Sequence, residues 1–328
     1  MVQRKKRISI VTPCYNEHDN AEECYETVRR LFDTELVAYD YEHIFCDNAS
    51  TDGTPEILAK LAAKDPRVKV IFNARNFGPF RSNFNGVINT TGDAVLLLLA
   101  VDMQDPPAML PRMIQLWEEG NEVVFGVRKV REESLMMRTI RRIYYRTVST
   151  LADIEIPLNV GEFQLVDRKV VDALRQCDDY YPYIRGLVAN CGFKRTSVEY
   201  VWRARKHGFS KNRFYHLIDQ GLNGLVSFTN VPMRLCMLVG FLLSFLSIGF
   251  AFFCVIYHLL WNGSTPPGIT TLVTGVFFLS GVQLFFSGVL GEYISAIHSQ
   301  VRKRPLVIER GRLNFTPEPA ETPAQRAA

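Results

Sequence analysis

Short apolar runs alternate with amphipathic segments between residues 8 and 126. The runs have the length and residue content of buried strands, and they lie at 8–11, 41–46, 68–72, 94–101 and 122–126. Helical patterns separate them at 20–32, from Thr54 onward and at 107–119. Strands and helices that alternate with short loops predict an α/β fold, with a mostly parallel sheet covered by helices on both faces.

The pattern changes at residue 235, after which no Asp, Glu, Lys or Arg occurs until residue 292. Turn-forming residues at 262–268 divide this stretch. Its two parts, about 235–261 and about 269–291, are each long enough to cross a bilayer as a helix. We therefore predict two transmembrane helices within 232–294; a pair of buried core helices is the alternative. Basic residues flank the pair and none lies between, which places both termini in the cytoplasm.

The predicted organisation is a cytoplasmic domain over 1–226, the two spans, and a juxtamembrane segment with a disordered tail over 295–328. Within the domain, segment 131–151 combines apolar and basic positions at helical spacing, which is typical of a helix at a membrane surface. A solvated helix packed on the domain is the alternative for that segment. We expect a second interface helix at 212–230. Small residues four apart in the spans would let helices approach closely, which favours a homo-oligomer.

Composition excludes several classes of protein. The 328 residues are 47% hydrophobic and 22% charged, which is too apolar for a disordered chain. The formal net charge of +4 gives no electrostatic reason to expect a nucleic-acid partner. Seven cysteines form no CxxC pair, and their odd number favours a reducing compartment over a secreted disulfide framework.

Polar segments follow four successive predicted strands. They are residues 12–17, 47–54, 73–78 and 102–107. Each one alone could be ordinary turn chemistry, because Asn, Asp, Gly and Pro dominate loops. Ligands of parallel α/β sheets bind beyond the carboxyl ends of the strands, however, and all four segments lie there. Together they indicate a binding site at that edge of the sheet.

Five segments carry a resemblance to a known family. They are Pro13–Glu17, Asp47–Thr54, Ala100–Pro107, Gly161–Leu165 and Arg205–Lys211. They resemble the P-x-Y-N-E, D-D-G-S-x-D-G-T, D-x-D-L-Q-x-P-P, G-D-F-R-L and R-x-x-G-x-S-K segments of the inverting family-2 glycosyltransferases. The chain is most similar to the polyprenyl-phosphate branch, which includes dolichol-phosphate mannose synthase and bacterial undecaprenyl-phosphate sugar transferases. This resemblance implies a Rossmann-like GT-A domain with a C-terminal two-helix hairpin in the cell inner (plasma) membrane.

The resemblance also implies an activity, that of a polyprenyl-phosphate glycosyltransferase (hexosyltransferase). Such an enzyme moves a sugar, with inversion, from a nucleotide diphosphate sugar to polyprenyl phosphate. The bacterial two-span members favour UDP-glucose as donor and undecaprenyl phosphate as acceptor. GDP-mannose or another UDP-sugar is the alternative donor. The product would be a polyprenyl-phosphate sugar for later transfer across the membrane.

The same resemblance assigns the donor site. Its nucleotide contacts would be Pro13, Tyr15, Glu17, Asp47, Asp52, Arg75 and Asp102. Glu17 could instead cap the first helix, and Arg75 could be a solvated arginine. Asp102 and Gln104, two apart at a strand end, can point the same way and offer hard oxygen ligands to Mg²⁺ or Mn²⁺. Asp105 is the nearest further ligand, and a helix cap before the prolines is the alternative role for Asp102.

The predicted catalytic residues are Asp102, Glu162, Arg205 and Lys211. A lipid phosphate is already an oxyanion at neutral pH, so positioning and charge neutralisation matter more than a strong general base. Arg205 and Lys211 would hold the acceptor phosphate or the donor diphosphate, and basicity at a membrane surface is the alternative for both. By the resemblance, Glu162 lies near the acceptor, where it could take a proton from a monoanionic phosphate or position the sugar.

Four positions depart from the family pattern, and each removes a charge near the predicted site. Ala100, Asn48, Asn159 and Gln164 stand where the family often has Asp, Asp, Asp and Arg. A catalytically weakened homologue acting as a membrane scaffold is therefore a second hypothesis, against which the retained charged residues argue. A processive polysaccharide synthase would show a Q-x-x-R-W segment and more spans, and neither occurs in the sequence.

Overall fold

A computed structural model describes residues 4–128, 160–177, 179–201, 268–302 and 304–316, with isolated positions between 237 and 256. Its strands are β1 Arg7–Cys14, β2 Asp40–Asp47, β3 Val68–Asn73, β4 Ala94–Leu96, β5 Val123–Arg128, β6 Val160–Asp167, β7 Arg195–Tyr200 and β8 Glu309–Leu313. Its helices are α1 His18–Thr34, α2 Thr54–Lys64, α3 Pro79–Ile88, α4 Leu110–Glu118 after a 3₁₀ turn Pro107–Met109, α5 Arg168–Arg175, α6 Ile184–Asn190 and α7 Ile269–Val301.

The eight strands form one mixed sheet in the order β7-β5-β6-β4-β1-β2-β3-β8. Four strand pairings are parallel, namely β1 with β2, β1 with β4, β2 with β3, and β5 with β7. The other three, β4 with β6, β5 with β6, and β3 with β8, are antiparallel. The α/β class and the largely parallel sheet are therefore confirmed, with β6 and β8 running against the rest.

Helices cover both faces of the centre of the sheet. In β1 the successive residues from Ile8 to Thr12 are all buried. Neighbouring side chains of a strand point to opposite faces, so both faces of β1 are covered. Helix α3 comes especially close. A Cβ added to Gly86 would stand 2.5 Å from Cys46 Sγ and 2.6 Å from a methyl carbon of Val11, so only glycine allows this approach.

The strand predicted at 94–101 is regular only over Ala94–Leu96. Beyond it, Leu97 N donates to Gln164 O at 2.8 Å, and Leu99 N donates to Val11 O at 2.8 Å. Beyond Leu96 the chain thus keeps single hydrogen bonds to both neighbouring strands, β6 and β1, in place of a regular ladder. Leu96, Leu97 and Leu99 stay buried, and that burial explains the apolar run.

A strand lies in the segment predicted to be juxtamembrane and tail, 295–328. Strand β8 pairs with β3, and Ala74 N donates to Ile308 O at 2.8 Å at one of its ends. At the other end Asn314 Nδ2 donates to two main-chain oxygens, Ala62 O at 2.7 Å and Val68 O at 2.8 Å. The segment predicted to be juxtamembrane and tail therefore contains an ordered strand, Glu309–Leu313, whose main chain is part of the sheet.

The chain divides into two compact units. All eight strands and helices α1 to α6 belong to the first unit, and α7 belongs to the second. Helix α7 begins where the second span was predicted and continues to Val301. In the described part of the chain, no helix is long and apolar enough to cross a membrane. Most of the first predicted span, and both predicted interface helices (131–151 and 212–230), lie outside the described residues.

Candidate active site

The polar residues at the ends of the strands lie at one edge of the sheet. Strands β1 to β5 and β7 all finish at this edge, whereas the antiparallel β6 and β8 begin there. We call it the carboxyl edge; in strand order it carries Tyr200, Arg128, Glu162, Asp102, Cys14, Asp47, Asn73 and Glu309. Adjacent strands lie about 4.8 Å apart, so the ends of β4 and β2, which flank β1, are about 10 Å apart. The sequence correctly predicted that the segments after the strands meet at one edge.

Hydrogen bonds join the loops after β1 and β2. Asn16 N donates to Ser50 Oγ at 2.9 Å, and Thr51 N donates back to Asn16 Oδ1 at 2.8 Å. Glu17 N donates to Thr54 Oγ1 at 3.0 Å, which joins the start of α1 to the start of α2. These bonds fix the two loops that contain the predicted nucleotide contacts.

Asp47 lies fully buried at the end of β2. Its two carboxylate oxygens both accept from Ser50 N, at 3.3 Å. Burial raises the pKa of the Asp47 carboxyl, against the hydrogen bonds of Ser50 and the positive charge of Arg310, which act to lower it. A buried carboxylate of this kind gains from further hydrogen-bond donors, such as the hydroxyl or N–H groups of a ligand.

The hydrogen-bond partners of the Asn48 side chain explain why an amide stands at this position. Its Oδ1 accepts from Asn73 Nδ2 at 3.1 Å and from Phe77 N at 3.0 Å. Its Nδ2 donates to Asn76 Oδ1 at 2.8 Å, and the same Asn76 oxygen accepts from Gly78 N at 2.8 Å. Asn48 therefore both accepts and donates, which a carboxylate cannot do. Its departure from the family pattern fits the network that joins the ends of β2 and β3.

Asp102 and Gln104 lie together in the turn after β4. Asp102 is 6% exposed, and its Oδ1 accepts from Gln104 N at 3.3 Å. Met103 between them has a left-handed backbone with φ 51°, a conformation that side-chain-bearing residues seldom adopt. Asn16 (φ 53°) and Ala49 (φ 62°) share this property in the loops after β1 and β2. Left-handed residues in three neighbouring loops point to a functional edge, because such backbone strain persists where a site requires it.

Asp105 is not available as a simple metal ligand. Both of its oxygens accept from Arg128 Nη2, at 3.1 and 3.2 Å, and Tyr200 donates its hydroxyl to Oδ1. Arg128 Nε also donates to the Tyr200 hydroxyl at 3.1 Å. Burial acts to lower the pKa of Arg128, but the negative charge of Asp105 and the hydrogen bonds to Tyr200 and Asp105 outweigh it and raise that pKa. The cluster ties the Asp102 turn to the ends of β5 and β7.

Glu162 lies near the start of β6 beside Arg185. The Arg185 Nε and Glu162 Oε1 atoms are 4.0 Å apart, and the Glu162 side chain is 16% exposed. Arg185 is itself held by Val160 O, which accepts from its Nη1 at 3.0 Å. Burial raises the pKa of Glu162, although the charges of Arg185 and Arg128 act in the opposite direction. Glu162 is thus a carboxyl group whose ionisation is made difficult by its surroundings, as proton-transfer groups often are.

Other predicted residues have local roles that the sequence did not show. Asp52 Oδ1 accepts from Thr54 Oγ1 at 2.6 Å and Oδ2 from His18 N at 3.2 Å; these bonds outweigh burial and lower its pKa. Glu17 stands at the N-cap of α1, but its Oε2 accepts from Asn20 Nδ2 at 2.7 Å instead of capping the main chain. Arg75 is exposed and lies 4.1 Å from the centre of the Phe77 ring.

The remaining predicted residues are distributed as follows. Pro13 is paired with Cys46 in the sheet, and Tyr15 is 38% exposed. Gln164 is buried within β6 and donates its Nε2 to Gly161 O at 2.8 Å. Arg205 and Lys211 lie outside the described residues, as does Asn159.

The chemistry of the Asp102 turn fits a hard divalent cation held with few protein ligands. Within the described ranges, no group of three or more His, Cys, Asp or Glu side chains is placed to hold a metal ion. Asp102 offers a carboxylate and Gln104 an amide oxygen, the ligand types that Mg²⁺ and Mn²⁺ prefer. The rest of the coordination would have to come from a diphosphate and water.

Comparisons with known proteins show the family of the chain. The Glycosyl transferase family 2 pattern matches residues 9–175. A relative in Bacillus subtilis, the uncharacterized glycosyltransferase YkcC, is 36% identical over 309 residues and covers 94% of both chains. An SfII prophage-derived bactoprenol glucosyl transferase of Shigella flexneri is 33% identical over 303 residues, covering 92% of this chain and 97% of that protein.

The Escherichia coli prophage bactoprenol glucosyl transferase homolog is 31% identical over 303 residues, covering 92% of this chain and 98% of its own. The chain therefore belongs to glycosyl transferase family 2 and is an enzyme of the transferase class. The family pattern spans strands β1 to β6, and Asp47, Asp102 and Glu162 lie among the residues that it matches.

Proposed function

We propose that this enzyme transfers glucose from UDP-glucose to a polyprenyl phosphate, with inversion at the sugar carbon. The observation that carries the proposal is the placement of Asp47, Asp102 and Glu162 at one edge of the sheet. The end of β2 would receive the nucleoside, the turn after β4 the diphosphate, and the start of β6 the acceptor. The bactoprenol glucosyl transferases among the relatives support this choice of donor sugar and lipid acceptor.

Asp47 and Asp102 would bind different parts of the donor. The buried Asp47 carboxylate would accept hydrogen bonds from ribose or base. In the turn after β4, Asp102 and Gln104 would hold Mg²⁺ or Mn²⁺, which supplies the positive charge that a departing diphosphate needs. The base would then lie at the end of β2 and the diphosphate at the turn after β4.

Glu162 would act at the acceptor. Burial raises the pKa of the Glu162 carboxyl, which makes its carboxylate a stronger acceptor for the proton of a monoanionic phosphate. The in-line attack of the phosphate oxygen on the sugar carbon then breaks the bond to the diphosphate and inverts that carbon. Arg205 and Lys211 remain our candidates for holding the acceptor phosphate.

An enzyme with a polyprenyl phosphate acceptor has to act at a membrane. The stretch from 235 to 291, without a single Asp, Glu, Lys or Arg, supports a membrane-embedded segment at the cell inner membrane. We keep the two-span hairpin with cytoplasmic termini, and a homo-oligomer, as proposals. A cysteine introduced at Gly263 should then react with an impermeant reagent from outside, and one introduced at Thr54 should not.

The proposal is tested by incubating membranes that contain the enzyme with labelled UDP-glucose, UDP-GlcNAc, UDP-galactose or GDP-mannose. Label from UDP-glucose should enter the lipid fraction, and membranes with Asp102→Ala enzyme should show little label there. Label that enters lipid from GDP-mannose or another UDP-sugar instead would replace the donor. No lipid label from any donor would favour the scaffold hypothesis.

A further inference from the structure

Strand β8 brings residues from the far end of the chain to the carboxyl edge. Its first residue, Glu309, pairs with Asn73, the last residue of β3. Glu309 Oε1 also accepts from Asn85 Nδ2 at 2.6 Å, which fixes this end of β8 to helix α3. Together with the main-chain bond from Ala74 to Ile308, these contacts give the start of β8 a defined position beside the donor site.

Arg310 stands at a bulge in this pairing. Phe72 pairs with Gly311 and Asn73 with Glu309, so Arg310 is the extra residue between them. Its guanidinium carbon lies 6.0 Å from the centre of the Phe72 ring. Arg310 is exposed and forms no ion pair with any residue in the described ranges, whereas Arg312 is paired with Glu309.

The sheet register connects Arg310 to Asp47. Asp47 pairs with Phe72, and Phe72 pairs with Gly311, so the three residues form one row across β2, β3 and β8. No atom lies within 4 Å of the position where a Cβ of Gly311 would stand, so the row is open at its β8 end. The positive charge of Arg310 acts to lower the pKa of the buried Asp47 carboxyl, which agrees with this arrangement.

Strand spacing decides which part of the donor Arg310 can reach. Strand β8 is two positions from β2, about 10 Å, but four positions from β4, about 19 Å. The start of β8 is therefore nearer to the end of β2, where the nucleoside would lie, than to the strand whose following turn would hold the diphosphate. The nucleoside near Asp47 is within reach, because a long arginine side chain covers much of the separation from β2.

We propose that Arg310 is a nucleotide-binding residue that donates hydrogen bonds to the base of the sugar donor. This rests on the proposed function, since it takes the donor to be a nucleotide held at Asp47 and Asp102. Asp47 supplies only acceptors, and a base such as uracil presents carbonyl oxygens that need donors. The guanidinium of Arg310 supplies those donors from the open side of the site.

The test measures UDP and UMP binding to the full-length purified enzyme by calorimetry. Arg310→Ala should weaken both ligands by about tenfold, the usual loss for one hydrogen bond from a charged donor. Arg312→Ala is the matched control on the same strand, and it should change UDP affinity by less than about twofold because that arginine is paired with Glu309. Thermal melting of both variants shows whether β8 remains folded.

Three results would overturn the inference. Equal UDP affinity of Arg310→Ala and wild type would remove Arg310 from the site while leaving the proposed function intact. A loss for UDP with no loss for UMP would move Arg310 to the diphosphate and reject base recognition. If the wild-type enzyme binds neither nucleotide, the proposed function fails together with this inference.

Discussion

The guanidinium of Arg128 lies 3.1 Å from the carboxylate of Asp105, although the two residues are 23 positions apart in the chain. Arg128 ends β5, and Asp105 belongs to the turn that also contains Asp102. The pair is nearly buried, with 18% of the arginine and 3% of the aspartate side chain exposed. It therefore holds the proposed metal-binding turn against the neighbouring part of the sheet.

Breaking this pair should destabilise the fold. Asp105→Ala leaves a buried guanidinium without its carboxylate, and we expect a loss of about 3 kcal/mol in the free energy of unfolding. The control is Asp172→Ala, since Asp172 pairs with Arg175 on the surface and should cost less than about 1 kcal/mol. Chemical denaturation of the two variants measures the difference. Equal losses would show that the Arg128–Asp105 pair does not hold the turn.

The amide of Asn48 gives a second prediction. Asn48→Asp restores the residue that the family pattern favours, but it removes the donor to Asn76 and places negative charge beside that oxygen. We expect a lower melting temperature, corresponding to about 1–3 kcal/mol, and no gain in activity. A variant that is as stable as wild type and more active would show that Asn48 lowers the activity of the site.

Much of the donor site could be predicted because parallel strands end at one edge. Asp47 and Asp102 follow apolar runs, and the strand alternation alone places them together. Strand β8 could not be predicted in this way. Its sequence, Glu309–Leu313, has almost no apolar residues, since it is bound to the edge of the sheet mainly through its main chain.

Long-range packing explains the other features of the structure that the sequence did not predict. Helix α3 carries a glycine and buried asparagines, which are poor helix formers, and only its packing against the sheet makes Gly86 and Asn83 suitable. The ion pair between Asp105 and Arg128 joins a loop residue to the end of a strand, and no local sequence pattern predicts it. Likewise, the sequence placed Glu162 near the acceptor only through the family resemblance, whereas its neighbour Arg185 depends on the fold.

Metal dependence follows from the Asp102 turn. Asp102→Ala, or an excess of chelator with wild-type enzyme, should abolish most sugar transfer while the melting temperature changes little. The reason is that the diphosphate would lose the charge that neutralises it on departure. Asp33→Ala, which removes an acidic residue from the exposed face of α1, is the control and should keep full activity. Undiminished transfer in chelator would reject a divalent ion.

Glu162 gives a pH-dependent prediction. Glu162→Gln keeps the size of the side chain but cannot accept a proton, so we expect about a hundredfold slower transfer near pH 6. The second pKa of a phosphomonoester is about 6, so above it the acceptor arrives already deprotonated and the loss should shrink by pH 9. Transfer rates over that range provide the measurement. A loss of constant size would leave Glu162 only a positioning role.

Stability provides the control for this variant. Burial raises the pKa of Glu162, so the folded protein binds its proton more tightly than the unfolded chain does. Ionisation therefore costs folding free energy, and the cost grows as the pH rises from the ordinary value of about 4.3 through the raised one. Glu162→Gln should accordingly be at least as stable as wild type at pH 8. A less stable variant would mean that the rate loss reflects misfolding.

The central claim is tested most directly with purified enzyme in liposomes that contain undecaprenyl phosphate. With UDP-glucose labelled in the sugar, label should pass into the organic phase only when enzyme and lipid phosphate are both present. The α-linked glucose of the donor should appear β-linked to phosphate in the product, which nuclear magnetic resonance resolves. Label that stays in water, enters the lipid fraction without undecaprenyl phosphate, or keeps the α configuration would contradict inverting transfer to a polyprenyl phosphate.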